Sequence, residues 1–281
     1  MIDKKIIQSA EHLLDLAFEE DLKAGDITTN NLIAQSEVRK AFWRAKEDGV
    51  VVGLPIAEMA FRRLDSDLQW TPLVHDGDSV KKGDILVQFS ASYRAILSAE
   101  RIALNFVQRL SGIATETQKY VKEVAHTSTQ ILDTRKTLPA YRLLDKYAVK
   151  MGGGTNHRIG LYDMVMIKDN HIDIAGGITQ AVQEIRAKVP NDIKIEVETT
   201  NIIDVEEAVL AGADIIMLDN MSNEQMAEAV RYIAGRAKTE ASGNMNLQRL
   251  SDVAATGVDF ISVGALTHSV MALDISQRIE K

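Results

Sequence analysis

The chain of 281 residues contains no cysteine and only 4 prolines, and aromatic residues make up only 5% of it. Without thiols it cannot form a disulfide, a thiol nucleophile or a cysteine-ligated zinc site. The absence of cysteine fits a reducing compartment, and we therefore expect a cytoplasmic protein.

Long apolar runs and an excess of positive charge are also missing. The first residues carry acids and no apolar stretch of the length that a signal peptide or a membrane span needs. The formal net charge is -8, whereas binding to a nucleic-acid backbone needs a basic face. We expect neither a membrane nor a nucleic acid as partner. The apolar content of 46% and charged content of 26% are those of a globular protein.

Against this acidic background, fixed cations cluster between Ile131 and Ile172. They occur in three motifs: Asp133-Thr-Arg-Lys-Thr137, Gly152-Gly-Gly-Thr-Asn-His-Arg158 and Ile167-Lys-Asp-Asn-His171. Arginine forks fit carboxylates and phosphates, and lysine adds a compact point charge. Most charge runs are solvated surface. However, Arg135, Lys136 and Lys168 directly follow short apolar runs, where a strand would leave the core. The clustering therefore favours a pocket for a polyanionic ligand.

From about residue 130 onward, short apolar runs alternate with helical stretches. The six runs are 129–132, 164–167, 193–197, 214–218, 238–241 and 260–263. They are nearly continuous in apolar residues, as is typical of parallel strands buried on both faces. Amphipathic stretches between them, such as 202–211 and 223–233, predict right-handed crossovers and a parallel β/α barrel or open sheet.

Polar or glycine residues follow or end these runs, and a barrel would bring them together at the carboxyl ends of its strands, where barrel active sites form. The residues concerned are Arg135, Lys136, Lys168, Glu198, Asp219, Ser242, Gly243, Asn244, Gly264 and Ala265.

The first hundred residues have a different pattern. Residues 41–46 and 70–91 alternate loosely, as in an antiparallel or mixed sheet with Gly/Asp turns. A helical stretch follows over 93–124, and Gly112 is expected to bend or break it. We place the domain boundary at residue 105, with a first domain over 1–105 and the catalytic β/α domain over 106–266. Residues 267–281 are predicted to form a helix that packs back on the first domain.

Taken in order, the motifs of this chain resemble those of the quinolinate phosphoribosyltransferase family, the decarboxylating nicotinate-nucleotide pyrophosphorylases. The resemblance runs nearly end to end. Besides the three cationic motifs, the matching pieces are Glu19-Glu-Asp-Leu-Lys-Ala-Gly-Asp-Ile-Thr-Thr29, Glu100-Arg-Ile-Ala-Leu-Asn105, Leu110-Ser-Gly-Ile-Ala-Thr115, Met217-Leu-Asp-Asn220, Glu240-Ala-Ser-Gly-Asn244 and Ile261-Ser-Val-Gly-Ala-Leu266.

This resemblance implies an N-terminal α/β sandwich domain followed by an incomplete parallel β/α barrel, in a homodimer or a higher assembly. It also implies that the protein transfers a phosphoribosyl group from phosphoribosyl pyrophosphate to quinolinate. The transfer is coupled to decarboxylation and uses Mg²⁺ as cofactor, and it belongs to de novo NAD biosynthesis.

The resemblance also assigns roles to individual residues. Arg135, Lys136, His157, Arg158 and Lys168 would line the quinolinate and pyrophosphate pocket, and Lys168 would also be catalytic. Arg101 would reach the pocket of a neighbouring subunit. The catalytic acids Glu198 and Asp219 would sit near the ribose hydroxyls and bind Mg²⁺. The 5′-phosphate would be held through backbone N–H groups of Ser242, Gly243, Asn244, Gly264 and Ala265. Two positions depart from the family pattern: Thr155 replaces a usual lysine, and Ala140 replaces a usual glycine.

Three alternatives remain at this point. Lys168 could be the nucleophile of a Schiff-base aldolase, which would need an apolar pocket or a cationic neighbour and would leave the arginines unexplained. Residues 75–86 have the spacing of a biotinyl or lipoyl carrier hairpin, but they lack an attachment lysine in the expected turn. Paralogues associated with molybdenum transport share the fold, whereas the pairs Arg135-Lys136 and His157-Arg158 favour the quinolinate enzyme.

Overall fold

The structure, a computed structural model, describes residues 2–280. Its strands are β1 Val38–Ala45, β2 Gly49–Val50, β3 Gln69–Pro72, β4 Ser79–Val80, β5 Ile85–Ser92, β6 Gln130–Leu132, β7 Val165–Ile167, β8 Ile195–Thr199, β9 Ile215–Asp219, β10 Lys238–Ser242, β11 Phe260–Ser262 and β12 Ile275–Ile279. Its helices are α1 Lys4–Asp21, α2 Ile27–Leu32, α3 Leu54–Leu64, α4 Tyr93–Val124, α5 Arg142–Met151, α6 Asp169–Ala175, α7 Ile178–Arg186, α8 Ile202–Ala211, α9 Asn223–Ile233, α10 Leu247–Ala255 and α11 Ala265–His268.

The chain divides into two compact units. The first comprises Met1–Gln118, Thr137–Gly153 and Thr267–Lys281, and the second comprises Lys119–Lys136 and Gly154–Leu266. The first division therefore falls inside α4, on the carboxyl side of the boundary predicted at residue 105. In the part of the chain that the structure describes, no helix is both long and apolar enough to cross a membrane.

The first unit contains a four-stranded antiparallel sheet in the order β12-β1-β5-β3. Four of the chain's few aromatic residues meet on it. Trp43 and Phe61 are fully buried, and their ring centroids lie 6.0 Å apart. Phe89 lies 4.9 Å from Phe61, and Trp70 packs edge-on against Trp43 at 5.9 Å. Burial of such large rings is the main stabilising contribution to a core of this size.

The prediction of a helix over 267–281 is wrong. Residues Ile275–Ile279 form β12, which pairs antiparallel with β1 from Ala45↔Ile275 to Ala41↔Ile279. Period-2 alternation accounts for this: Ile275 is buried and Gln277 half-buried, whereas Arg278 between Gln277 and Ile279 is exposed. The Gln277 side chain also accepts a hydrogen bond from Trp43 Nε1 at 3.0 Å. Pairing with β1 gives the backbone N–H and C=O groups of this segment hydrogen-bond partners. So short a polar segment would form only a marginally stable helix.

Gly112 does not break the long helix, because α4 runs without interruption through it. A Cβ atom at this position would lie 2.1 Å from the carbonyl oxygen of Met271. The glycine therefore allows a close approach of two backbone segments, and the predicted break at this position is wrong.

The second unit contains six parallel strands in the order β6-β11-β10-β9-β8-β7. Each of the six predicted apolar runs is one of these strands. Since β11 pairs with β6 while β6 and β7 do not pair with each other, the sheet is an open barrel. Thr155 lies against β6 instead: its N–H donates to the Ile131 carbonyl at 2.8 Å, and its carbonyl accepts from the N–H of Asp133 at 3.2 Å. The predicted incomplete parallel β/α barrel is confirmed.

Candidate active site

Successive residues of a strand point to opposite faces, so residues two apart share a face. On β8 these are Glu196 and Glu198, and on β10 they are Glu240 and Ser242. Glu196 and Glu240 both approach the imidazole of His157, so this shared face points into the barrel. Glu198 and Ser242 lie on the same face, one step nearer the carboxyl ends. The interior therefore has a deep layer and an outer layer of polar residues.

The deep layer consists of His157 between two buried carboxylates. His157 Nε2 lies 3.1 Å from Glu196 Oε2 and 3.2 Å from Glu240 Oε2. The glutamates are at most 1% exposed. Asp133, which is also buried and directly follows β6, accepts the backbone N–H of His157 at 2.9 Å and the side-chain amide of Asn156 at 2.6 Å. The loop that carries His157 is therefore fixed to three strands at once.

The pKa values in this layer are strongly perturbed. Burial opposes protonation of His157, but the carboxylates of Glu196 and Glu240 outweigh it and raise the pKa of the imidazole. Burial and the neighbouring Glu240 carboxylate raise the pKa of Glu196 to about 7. The two carboxylates therefore favour a proton on the imidazole nitrogen that faces them.

The outer layer contains the predicted catalytic residues. Lys168 follows β7 directly, and its Nζ lies 2.6 Å from Glu198 Oε2. Its side chain remains 45% exposed. Asp219 is the last residue of the neighbouring strand β9 and is half-buried. Because Glu198 and Asp219 occupy adjacent strands at their carboxyl ends, the structure brings Lys168 and both predicted acids to one edge of the second unit.

Two of the predicted cations lie close enough to interact with each other. Burial and the positive charge of Arg135 lower the pKa of Arg158. The Arg158 guanidinium donates to the carbonyl oxygen of Met164 at 3.1 Å, which holds the side chain beside β7. Arg135 and Lys136 follow β6 and are exposed. Two neighbouring guanidinium groups are a suitable receptor for a ligand with several negative charges.

The loops after β9 and β10 meet through a backbone arrangement that requires glycine. Gly243 has φ +92°, and a Cβ atom there would lie 2.2 Å from Asn220 Oδ1. Asn220 and Asn244 also have positive φ, and their side-chain amides lie within hydrogen-bond distance at 3.3 Å. Backbone turns of this kind expose N–H groups to anions. Gly264 and Ala265 follow β11 in the same unit, where the predicted phosphate loop lies.

Arg249 joins these two loops, although the sequence did not single it out. Its guanidinium donates to the Met221 carbonyl at 2.8 Å and to the Gly243 carbonyl at 3.3 Å. Glu196 and Glu240 are likewise functional candidates that sequence reasoning missed. An available signal was a glutamate within each of two runs predicted to be buried strands, since acids are rarely buried without a partner.

Arg101 lies on α4 in the first unit and is exposed. Its contribution to the pocket of a neighbouring subunit stays a prediction.

The residues at the outer layer fit Mg²⁺ by their chemistry. Mg²⁺ is typically held by one or two carboxylates together with substrate phosphate oxygens, and Glu198 and Asp219 supply carboxylates on adjacent strands. The Glu198 side chain is 18% exposed, so a ligand can approach it from solvent.

Comparison with known proteins agrees with this architecture. The family models described as quinolinate phosphoribosyl transferase, N-terminal domain and C-terminal domain, match residues 26–111 and 113–278. A probable nicotinate-nucleotide pyrophosphorylase (carboxylating) of Synechocystis is 45% identical over 263 residues, covering 92% of this chain and 89% of the relative.

Solved structures give the same result. The crystal structure of NadC from Streptococcus pyogenes is 40% identical with a TM-score of 0.95, covering 99% of this chain and 98% of that one. The nicotinate-nucleotide pyrophosphorylase of Francisella tularensis is 41% identical with a TM-score of 0.94, covering 100% and 98%. With both of its domains matched, the chain belongs to the quinolinate phosphoribosyltransferase family.

Proposed function

We propose that the outer layer of the second unit is the active site, with the residue roles set out below. The reaction is that of the family: phosphoribosyl transfer from phosphoribosyl pyrophosphate to quinolinate, giving nicotinate mononucleotide, pyrophosphate and CO₂ in NAD biosynthesis. The observation that carries this assignment is the gathering of Lys168, Glu198 and Asp219 at the carboxyl ends of adjacent strands.

Charge neutralisation is the first requirement of this chemistry. Quinolinate is a dicarboxylate, and its co-substrate carries a phosphate and a pyrophosphate. One pair of unit charges at 4 Å and an effective dielectric of 20 is worth about 4 kcal/mol, so several cations are needed. Arg135, Lys136, Arg158 and Lys168 supply them. Burial and the charge of Arg135 lower the pKa of Arg158, which is consistent with two cations that share one pocket.

The carboxylates act on the opposite charge. Pyrophosphate leaves C1′ of the ribose through an oxocarbenium-like state while the pyridine nitrogen attacks. Glu198 and Asp219 stabilise the positive charge that develops on the ribose ring. When bound, Mg²⁺ would neutralise part of the pyrophosphate charge, with Glu198 and Asp219 as its protein ligands. We assign Lys168, which pairs with Glu198, to the binding of an anionic oxygen at the same edge.

Decarboxylation needs no protein nucleophile. Once the pyridine nitrogen is bonded to ribose, the electron pair of the C–CO₂ bond remains on C2 as CO₂ leaves, stabilised by the adjacent cationic nitrogen, and C2 then takes a proton from solvent to complete the product. Strong cationic pairing with the 2-carboxylate would oppose its loss, so we assign the firmer arginine contact to the 3-carboxylate. An aldolase role for Lys168 is disfavoured, because its Nζ lies in an ion pair and its side chain is 45% exposed, whereas a Schiff-base lysine needs an apolar surrounding or a cationic neighbour.

The 5′-phosphate is assigned to the backbone N–H groups of Ser242, Gly243 and Asn244, together with Gly264 and Ala265. Positive φ at Gly243 and Asn244 and the anchoring of Gly243 by Arg249 support a preformed loop. We further propose a cytoplasmic homodimer or higher assembly in which Arg101 reaches the pocket of a second copy.

The test is a product assay. Purified protein mixed with quinolinate, phosphoribosyl pyrophosphate and Mg²⁺ is expected to form nicotinate mononucleotide and CO₂ in equal amounts, and neither product should form when a chelator removes the metal. Full activity in the chelator would contradict the Mg²⁺ assignment. Full activity of Lys168→Met would contradict the proposed site. Size-exclusion chromatography of the wild-type protein tests the proposed assembly. Mixing the variants Arg101→Ala and Lys168→Met tests the shared pocket, because activity should be recovered only if one copy supplies Arg101 to the pocket of the other.

A further inference from the structure

The two nitrogens of His157 are turned towards protein groups. Nε2 faces the carboxylates of Glu196 and Glu240 at 3.1 and 3.2 Å, and Nδ1 accepts the backbone N–H of Arg158 at 2.7 Å. His157 was expected to line the substrate pocket. A ring whose two polar atoms are both engaged in this way is better suited to hold its neighbour in place than to bind a ligand itself.

The arrangement around His157 fixes the position of Arg158. Its backbone N–H is fixed by the imidazole, and its guanidinium is fixed by the Met164 carbonyl. The preceding residues are tied to β6 through Thr155 and Asp133. Because a guanidinium binds a carboxylate through a planar fork, its direction determines whether both N–H groups reach their acceptors.

Stability does not explain the two glutamates. Burying a carboxylate costs several kcal/mol after relaxation, and apolar side chains of similar volume are often neutral or stabilising in its place. Here the Oε1 atoms of Glu196 and Glu240 have no hydrogen-bond partner within residues 2–280. A barrel interior built for stability alone would contain apolar residues at these two positions.

We propose that Glu196 and Glu240 are positioning residues, which hold the His157 ring and through it aim Arg158 at a carboxylate of the pyridine substrate. The inference rests on the proposed function for the identity of that substrate. The proton of Nε2 is directed at the carboxylate pair, because the N–H of Arg158 occupies Nδ1. Removing one carboxylate lets the ring turn, which displaces Arg158 without removing any atom from the pocket.

In the described part of the chain, the same three side chains are the one group of potential metal ligands, and their ligand atoms lie within 4.8 Å of one another. Histidine with two carboxylates can bind a divalent transition metal. The separations of 3.1 and 3.2 Å between nitrogen and oxygen suit a direct contact of the three groups and also two ligands of one tetrahedral ion that lies about 2.0–2.2 Å from each. A bound metal is therefore a competing outcome of the test.

The experiment compares Glu240→Gln, Glu240→Leu and Glu196→Gln with Glu206→Gln, a matched change on the exposed side of α8. Quinolinate affinity is measured by calorimetry and both KM values by steady-state kinetics. We expect the Kd and KM for quinolinate to rise about tenfold to a hundredfold, with the KM for phosphoribosyl pyrophosphate nearly unchanged. Glu240→Gln, which keeps an acceptor oxygen, should be less affected than Glu240→Leu, and Glu206→Gln should match wild type.

Unchanged quinolinate affinity in the glutamate variants would overturn the proposal, and so would an equal rise of both KM values. One equivalent of transition metal per chain in purified wild type, lost in Glu240→Gln, would overturn it in favour of a metal site. If wild type itself does not bind quinolinate, the proposed function fails instead. The ring ¹⁵N signals of His157 then decide the geometry: an unprotonated Nδ1 that changes in Glu240→Gln supports the positioning role, and a doubly protonated ring unaffected by the change contradicts it.

Discussion

The interiors of the two units are built from different kinds of residue. In the first unit, the sheet packs on Trp43, Phe61, Trp70 and Phe89. In the second, the barrel holds a histidine between two buried glutamates. An apolar core contributes stability in proportion to the area it buries, whereas buried ionisable groups reduce stability unless they are paired. The contrast indicates that the first interior mainly provides stability, whereas the second also contains ionisable groups that stability alone does not require.

The largest expected effect is on stability, from the aromatic core. Trp43→Ala should lower the free energy of unfolding by about 3–5 kcal/mol, because it removes a fully buried ring and leaves a cavity. The kcat/KM of the folded fraction should stay near that of wild type. Urea unfolding followed by circular dichroism measures the first quantity, and Tyr162→Ala, at a side chain 78% exposed, is the control. A loss of kcat/KM without loss of stability would break the comparison.

The opposite result is expected at the outer layer of the barrel. Glu198→Gln should lower kcat by about 10²–10³-fold, as removal of one preorganised electrostatic group commonly does. Stability should change by less than about 1 kcal/mol, because the Lys168–Glu198 pair is partly exposed. The matched control is Glu184→Gln, which breaks an exposed pair with Lys188. Similar kinetics of the two variants would show that Glu198 has only a surface role.

Gly243 allows a sharper test of the phosphate loop. Gly243→Ala forces a side chain into φ +92° and against Asn220, and we expect the KM for phosphoribosyl pyrophosphate to rise about tenfold, which corresponds to 1.4 kcal/mol. Gly235→Ala is the control, since Gly235 also has positive φ but has open space around its Cβ position. If both changes raised the KM for phosphoribosyl pyrophosphate equally, backbone strain alone would explain the effect.

The smallest effect concerns acid stability at the amino ends of β10 and β11. Burial of Asp259 acts to raise its pKa, but hydrogen bonds from Lys238 and Thr239 outweigh it and lower the pKa below the usual value. Its stabilising contribution is therefore present above about pH 4 and is lost as the pH falls through the folded-state pKa. Asp259→Asn should cost at most about 1 kcal/mol at pH 7, and this cost should shrink as the pH falls below about 4. Urea unfolding over this pH range checks the prediction, and a pH-independent difference would contradict it.

The strands of the barrel could be predicted because most of them are recognisable from the local sequence pattern alone. Runs such as 164–167 and 214–218 are short, mostly apolar and followed by polar residues, so local composition sufficed for them. Run 238–241 is mostly polar, and only its place in the strand-helix alternation predicted it. The prediction for residues 275–279 failed because the structure of an edge strand depends on the strand with which it pairs, here β1. The prediction of a helix break at Gly112 failed for a similar reason, because this glycine is in close contact with Met271, which lies far along the chain.

The site divides in the same way. The meeting of Lys168, Glu198 and Asp219 at the strand ends could be predicted, since a barrel brings all strand ends together. The meeting of His157 with Glu196 and Glu240 could not, because it depends on which strands lie across the interior from a loop. Residue spacing in the sequence carries no information on such contacts, although the alternation Glu196-Val-Glu198 already places both acids on one face of β8.

The most direct test of the central claim is the preference for a dicarboxylate over a monocarboxylate. We expect kcat/KM for quinolinate to exceed that for nicotinate by at least about a hundredfold in wild type, because a site built for a charged group rejects the analogue that lacks it. Arg158→Met should lower kcat/KM for quinolinate about tenfold or more, and Arg231→Met, at an exposed arginine of α9, should not change it. Equal use of nicotinate and quinolinate by the wild-type protein would contradict the account.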